Sequence, residues 1–373
     1  MRVALFSDAV PPRLDGVAVT VARLVGELTA RGHEVALIGP GPFDETAGAS
    51  LHVRLPGFPL PSLPGLYGAA PRLGAAAKRA LDQFRPEVVH ALTEMPVGLA
   101  GRQYAMSRDL LFVTSAHTDY PAYLRHWGAG AAAPAMSAWM NWFHRAARVT
   151  LCPSRSYLER LRARGHRGPL RIWSRGVDAE RFSPAHRSTA FRERLGASGR
   201  KIVLSVGRVV PEKRFDRLIG AFAEATRRSH DAVLVIVGVG ASRRALEARA
   251  PPGVVFLGAL RGHALAEAYA SSDLFALASE EETFGNVVLE AMASGLPPVV
   301  PRAGALSELV NERTGALVDV SDSGAMARAL GALIRDDGER AARGRAARLD
   351  ALDRSWAKAT DEVLSGYRFA LGS

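Results

Sequence analysis

Two cations and two carboxylates carry most of the chemistry legible in this sequence. Arg208 and Lys213 lie in SVGRVVPEKRFDRLIGAF (205–222), and Glu282 and Glu290 lie in SEEETFGNVVLEAMASGLPPVV (279–300). In the first stretch the pattern predicts a strand ending at Arg208 and a helix beginning near Glu212 and Lys213. Cations on either side of such a turn can clamp a diphosphate and offset the charge that grows on it as it leaves. Lysine occurs only at 78, 201, 213 and 358 in a chain that otherwise uses arginine, so Lys213 points to a site that wants a compact point charge. A solvated helix start with a salt bridge would also account for the pair. In the second stretch, Glu280 and Glu281 suit helix-start or solvent charges. Glu290 does not, because it sits inside VVLEAMASG, where a carboxylate needs strong partners such as ligand hydroxyls. A third stretch, FSDAVPPRLDGVAVTVARL (6–24), reads as a strand, a proline-rich loop and a helix opening at Gly16. Helix-start N–H groups attract phosphate, although a tight turn alone also favours glycine there.

These residues need elements to hold them. Short apolar runs alternate with amphipathic stretches, the pattern of βαβ units on a parallel sheet. In the first half the strand candidates are 2–7, 34–39, 51–55, 88–90, 111–116 and 149–153; in the second half they are 201–207, 232–238, 254–258, 274–279, 298–300 and 315–320. The fold expected is α/β, with two Rossmann-like doubly wound domains in series. The turn-rich segment RGVDAERFSPAHRS (175–188) is the expected hinge. The division expected is residues 1–182, an N-terminal domain; 183–353, a C-terminal domain; and 354–373, a helix returning to the first domain. Sheets of this kind bind ligands beyond the carboxyl ends of their strands, and two facing sheets would make an interdomain cleft.

Composition narrows the class. The 373 residues exceed the size at which a single core usually stops growing. No apolar run approaches a membrane span, and Asp8, Pro11 and Pro12 interrupt the apolar start, so no export signal and a cytoplasmic location are expected. Cys152 is the only cysteine, which excludes an internal disulfide and fits a reducing compartment. The formal charge is +11, of which residues 1–182 carry +8. A basic balance admits nucleic acid, an anionic membrane or a phosphorylated small molecule as partner.

The combination of GR-x2-PEK at 207–213, E-x7-E from Glu282 to Glu290 and EAMASGLP after it resembles the retaining GT-B glycosyltransferases of family 4. LDGVAVTVARL, RGHEVALIGPG, RPEVVHALTE, TSAHTDYPAYL, RGVDAERFSP and the closing RSW helix follow in family order, so the resemblance runs nearly end to end. The wording is similar to bacterial GDP-mannose-dependent α-mannosyltransferases acting on lipid acceptors, and to sulfoquinovosyl-diacylglycerol synthases, which use a UDP-sugar. The resemblance implies that Arg208 and Lys213 bind the donor diphosphate, with the backbone at Gly16 completing that site. It implies that Glu282 holds hydroxyls of the transferred sugar, and that the N–H groups of Phe284, Gly285, Asn286 and Val287 cap sugar and phosphate. Glu290 would take the nucleotide ribose, and His117 would stand near the sugar's reacting face. The implied reaction is a retaining, front-face transfer of a hexose, with mannose from GDP-mannose the leading expectation and a UDP-linked glucosyl, galactosyl or sulfoquinovosyl donor the alternative. No metal or other cofactor is expected, since the two cations take the diphosphate.

A lipid or small-molecule acceptor is expected to face the first half. PGFPLPSLPGLYGAAP (56–71) is an apolar loop, and APAMSAWMNWFHRAARV (133–149) combines Trp139, Trp142 and Phe143 with Arg145 and Arg148. Arg155, Arg160, Arg162, Arg164, Arg167 and Arg171 extend the charge. Aromatic and basic side chains together suit the inner face of the cytoplasmic membrane; aromatics in the core and a solvated basic surface would give the same pattern. Two rival readings fare worse. A nicotinamide-dependent dehydrogenase lacks its fingerprint, because VGVGAS (237–242) is followed by Arg243 where the third glycine belongs. A basic nucleic-acid-binding protein leaves Glu282 and Glu290 without a role, so no nucleic-acid partner is expected. Oligomeric state is left open.

Overall fold

The computed structural model describes residues 1–11, 13, 15–41, 48–59, 67–227 and 231–372. They divide into two compact units, one of residues 1–125, 129–175 and 356–373, the other of residues 126–128 and 176–355.

The first unit contains β1 (Arg2–Phe6), β2 (Glu34–Pro40), β3 (Leu51–Leu55), β4 (Gly57–Pro59), β5 (Tyr67–Ala69), β6 (Val88–Ala91), β7 (Leu111–Ser115), β8 (Val149–Cys152) and β9 (Leu170–Ile172). Seven of these form one parallel sheet in the order β3-β2-β1-β6-β7-β8-β9, and β4 and β5 form a separate antiparallel ribbon. Val3 is paired with Val35 on one side and Val88 on the other. Helices cover both faces, which is why β1 and β2 read as continuous apolar runs instead of alternating ones. Val3 and Leu5 pack into one cluster, and Ala4 and Phe6 into the other. The C-terminal helix Trp356–Leu371 belongs to this unit, placing Trp356, Ala359, Val363 and Tyr367 in the cluster with Val3 and Leu5. Of the apolar loop at 56–71, residues 60–66 lie outside the described residues, while residues 57–59 and 67–69 form the ribbon.

The second unit contains β10 (Lys201–Val206), β11 (Ala232–Val237), β12 (Val254–Gly258), β13 (Leu274–Ala276), β14 (Pro298–Pro301) and β15 (Ala316–Val318), in the sheet order β12-β11-β10-β13-β14-β15. All neighbours are parallel. Along β10, Ile202, Leu204 and Val206 face one cluster and Val203 the other. The boundary between the units falls after Arg175, the first residue of the expected hinge segment, and the rest of that segment is packed into the second unit. Phe182 is buried edge-on against Tyr269, and Arg187 donates to the carbonyls of Ala270 and Ser272 and to Asp273. Turn formers in that stretch mark a compact irregular strap, with Pro184–His186 as a 3-10 turn.

Candidate functional site

In the second sheet the direction of winding reverses between β10 and β13. Chains leaving the carboxyl ends of these two strands diverge there and leave a crevice. The loop after β10 carries Arg208 and Lys213, and the loop after β13 carries Glu282. One interaction joins them: Nζ of Lys213 donates to Oε1 of Glu282 at 2.5 Å, with side chains only 15% and 12% exposed.

Local sequence explains how each loop holds its shape. Lys213 ends a 3-10 turn, Pro211–Lys213, and Arg214 follows in the left-handed region at φ 52° before the helix Phe215–Ala225 begins. The helix expected to begin near Lys213 therefore starts two residues later, since Arg214 breaks the α geometry. The strand, too, ends at Val206, short of Arg208. The loop lies against the turn that follows β11: Val209 N–H donates to the Val239 carbonyl. At Gly238, φ is 146°, and a Cβ would stand 1.8 Å from the carbonyl oxygen of Gly207. Only glycine fits such an approach. The glycines of VGVGAS thus serve close packing beside the crevice.

After β13, Phe284 is buried in the core and Gly285, at φ 103°, starts the helix Asn286–Ala293. Among the described residues no side-chain cap is seen on this helix, so no carboxylate occupies its first N–H groups. Asn286 adds a buried Oδ1 with no hydrogen-bond partner among the described residues. Val287 is half-buried, and its carbonyl accepts from the Tyr269 hydroxyl. Glu290, one turn on, is half-buried and accepts from the same hydroxyl at 2.8 Å.

Electrostatics separate the two acids. Burial alone would raise the Glu282 carboxyl, but the Lys213 ammonium in contact with it and the nearby Arg208 hold it below the usual glutamate value. Burial dominates at Glu290, pushing it up to about 7 against the hydrogen bond from Tyr269 and the charge of Arg181. Glu282 is a fixed anion, then, whereas Glu290 titrates near neutrality. Glu280 pairs with Arg217 at 2.9 Å towards solvent.

Sequence reasoning missed Glu212. It reads as a helix-start acid, yet it is 1% exposed and accepts from Arg208 at 3.4 Å. Arg208 is itself 48% exposed. Each cation of the expected clamp therefore already has a carboxylate beside it, and the alternative of a salt-bridged helix start holds in part for Arg208. Lys213 is different, being tied across the crevice to a residue remote in sequence. Tyr269 was also missed, because it comes from the helix Gly262–Ala270 and nothing in its sequence neighbourhood signals Glu290.

In the first unit, Gly16 does open the helix Gly16–Ala30, but the residue before it caps that helix. Asp15 Oδ1 accepts from the N–H groups of Val17 and Ala18 at 2.9 and 3.0 Å, and Arg13 pairs with the same carboxylate. A phosphate at Gly16 would share this helix start with an anion already in place. The aspartate before an apolar helix was the available signal. His117 follows β7 and is 7% exposed; its Nδ1 contacts Nη2 of Arg175 at 2.5 Å, and its ring lies edge-on to Trp173. Burial first, then Arg175, His90 and His144, hold the imidazole well below the usual histidine value, so it is neutral.

The aromatic stretch divides. Phe143 is fully buried, Trp139 donates its indole N–H to the Glu94 carbonyl, and Trp142 is 44% exposed beneath the guanidinium of Arg102 at 3.9 Å. The arginine run divides too: Arg160 and Arg164 pair with the buried Asp119, while Arg155, Arg167 and Arg171 are exposed. Among the described residues no group of three or more His, Cys, Asp and Glu is placed to hold a metal ion, and no helix is long and apolar enough to cross a membrane.

Comparison with known proteins gives matches to both units. A family model described as "Glycosyltransferase Family 4" matches residues 14–181, and one described as "Glycosyl transferases group 1" matches residues 187–350. The chain is 37% identical to a "GDP-mannose-dependent alpha-mannosyltransferase" of Mycobacterium tuberculosis, over all of this chain and 97% of that protein. It is 31% identical to a "GDP-mannose-dependent alpha-(1-6)-phosphatidylinositol monomannoside mannosyltransferase" of Mycolicibacterium smegmatis, over 98% of this chain and 99% of the relative. The solved structure of sucrose-phosphate synthase from Thermosynechococcus elongatus superimposes with a TM-score of 0.81 at 21% identity, covering 100% of this chain and 99% of that one. At that identity the likeness bears on the fold alone.

Proposed function

The chain belongs to glycosyltransferase family 4 and has its two-unit GT-B fold, and from that premise we propose that it transfers mannose from GDP-mannose to a glycolipid acceptor, with retention of configuration. The activities named for its full-length relatives support the donor and the acceptor class. The observation that carries the site is the contact between Lys213 and Glu282 at the reversal point of the second sheet.

In this scheme Glu282 accepts hydrogen bonds from hydroxyls of the transferred sugar, and Lys213 and Arg208 take the diphosphate. As the glycosidic bond breaks, negative charge grows on the leaving GDP, and the two cations offset it without a metal. The leaving diphosphate takes the acceptor's proton on the face it departs from, so no carboxylate nucleophile is required. The helix start at Gly285, Asn286 and Val287, where no side-chain cap is seen among the described residues, adds N–H donors for the same anion. Glu290, one turn along the same helix, accepts from the ribose. His117 serves the sugar's reacting face, and Gly16 offers backbone to the phosphate.

The test is transfer of labelled mannose from GDP-mannose to a mycobacterial phosphatidylinositol mannoside fraction, with UDP-glucose, UDP-galactose and UDP-sulfoquinovose in parallel and the anomeric configuration of the product read by NMR. An α-mannosylated lipid made only from GDP-mannose is the expected product. Transfer from a UDP-sugar alone would replace the donor assignment, and a β-linked product would remove retention.

A second reading concerns location. Trp142 is exposed at the surface under Arg102, with Arg145 and Arg148 exposed nearby in sequence. An indole and guanidinium side by side suit a lipid headgroup layer, which supports peripheral contact of the first unit with an anionic membrane at the cytoplasmic face.

A further inference from the structure

We propose that Arg175 is a positioning residue for His117: its guanidinium fixes the imidazole in the tautomer that carries its proton on Nε2, making His117 a hydrogen-bond donor to the transferred sugar. The inference rests on the assignment of His117 to the sugar in the proposed function.

The geometry leaves little choice of tautomer. A guanidinium offers donors and no acceptor, and Nη2 of Arg175 lies 2.5 Å from Nδ1 of His117. Nδ1 is therefore the acceptor. A neutral imidazole has one N–H, so the proton stands on Nε2.

Arg175 is itself held rigidly. It is 5% exposed, its Nη1 donates to the carbonyls of Trp173 and Ser174 at 2.6 and 2.9 Å, and its guanidinium lies over the Trp173 indole at 4.6 Å. The same indole meets the His117 ring edge-on, at 5.2 Å between centroids. Ser174 is anchored in turn: its backbone N–H and its hydroxyl donate to Oε2 of Glu362 in the C-terminal helix, at 2.6 and 2.7 Å. The contacts run from Glu362 through Ser174 and Arg175 to His117, all within the first unit.

Packing alone does not explain this side chain. Its hydrogen-bond partners are two main-chain carbonyls and an imidazole, with the Glu362 carboxylate the nearby charge that favours its cation, and burying a guanidinium without a directly bonded carboxylate is costly. A side chain of similar length without charge would fill the space at less cost. What the guanidinium adds is a donor that the imidazole cannot match by turning over, since Nε2–H facing Arg175 would set two donors against each other.

The experiment labels the histidines of the full-length protein with ¹⁵N and reads the tautomer of His117 by NMR, with His117→Gln identifying its signals. Wild type should show a bare Nδ1 and a protonated Nε2. Arg175→Met should shift His117 towards the Nδ1–H form or the cation and lower kcat by at least about tenfold, with KM for the sugar nucleotide nearly unchanged. Arg175→Lys, which also only donates, should restore part of both. If Arg175→Met does not fold, Glu362→Gln carries the test, because loosening Ser174 should broaden or shift the His117 signals. An unchanged His117 tautomer in Arg175→Met, or unchanged His117 signals in Glu362→Gln where that variant carries the test, with His117→Gln impaired, overturns this inference alone. Wild-type turnover in His117→Gln overturns it together with the assignment of His117 to the sugar.

Discussion

Lys213 and Glu282 meet largely shielded from solvent, so removing either takes from the other its closest opposite charge. For Lys213→Ala the expected loss is in turnover, roughly 10² to 10³ in kcat, the size seen when one preorganised donor to a developing charge is deleted. Steady-state kinetics with saturating donor measures it, and unaltered turnover would remove Lys213 from the mechanism. Glu290 makes a pH prediction. Its folded carboxyl keeps its proton up to about 7, against 4.5 for the free side chain. Between those values the folded state binds more protons than the unfolded one, so stability falls as pH rises through that window. Glu290→Gln cannot ionise and should lose that slope, a difference of at most about 3 kcal/mol across the window. Urea titrations of both proteins at pH about 5 and about 7.5 read it directly; equal slopes would mean that Glu290 is solvated. In the enzyme with donor bound, ribose hydroxyls should favour the ionised carboxyl and raise affinity over the same range.

At the scale of elements, the helix Asn286–Ala293 begins at a glycine whose conformation no other residue adopts easily. A Cβ on Gly285 would lie 3.0 Å from Leu306 Cδ2 and 3.3 Å from Leu309 Cδ1, at φ 103°. Gly285→Ala should cost about 1–3 kcal/mol, measured by chemical denaturation, and weaken nucleotide binding by tilting the helix start. A fully stable, fully binding variant would show that this turn positions nothing. The β10–β13 elements were legible because strands buried on both faces announce themselves as apolar runs such as AVLVIV (232–237). Three elements were not: β4, β5 and β9 have three residues each and, unlike the equally short β13 and β15, lie in no apolar run. The pairing of Lys213 with Glu282 was not legible from either stretch alone, because the sheet order that adjoins β10 to β13 is a tertiary fact. Glu212 was hidden for a related reason. A helix-start acid and a buried partner of arginine have the same sequence signature, and only burial separates them.

For the molecule as a whole, family and fold were written in motif spacing, while the balance of charge in the crevice was not. The excess of positive charge lies in residues 1–182, but the structure divides it, with Arg160 and Arg164 spent on Asp119 and Arg102 laid over Trp142. Membrane affinity should therefore depend on few residues. Trp142→Ser together with Arg102→Ser should reduce binding to vesicles containing anionic lipid by about tenfold, and salt should weaken the wild type in the same direction. Sedimentation with vesicles measures both, and equal binding by the double variant would place the contact elsewhere. The central claim, that the second unit binds a guanosine diphosphate sugar through Arg208, Lys213 and Glu290, is tested most directly by thermal unfolding of the full chain with GDP, UDP and ADP in parallel. Ligand at about a hundred times its Kd stabilises by about 2.7 kcal/mol. The account predicts the largest rise in midpoint with GDP and a smaller one in Glu290→Gln; no rise with any nucleotide would contradict it.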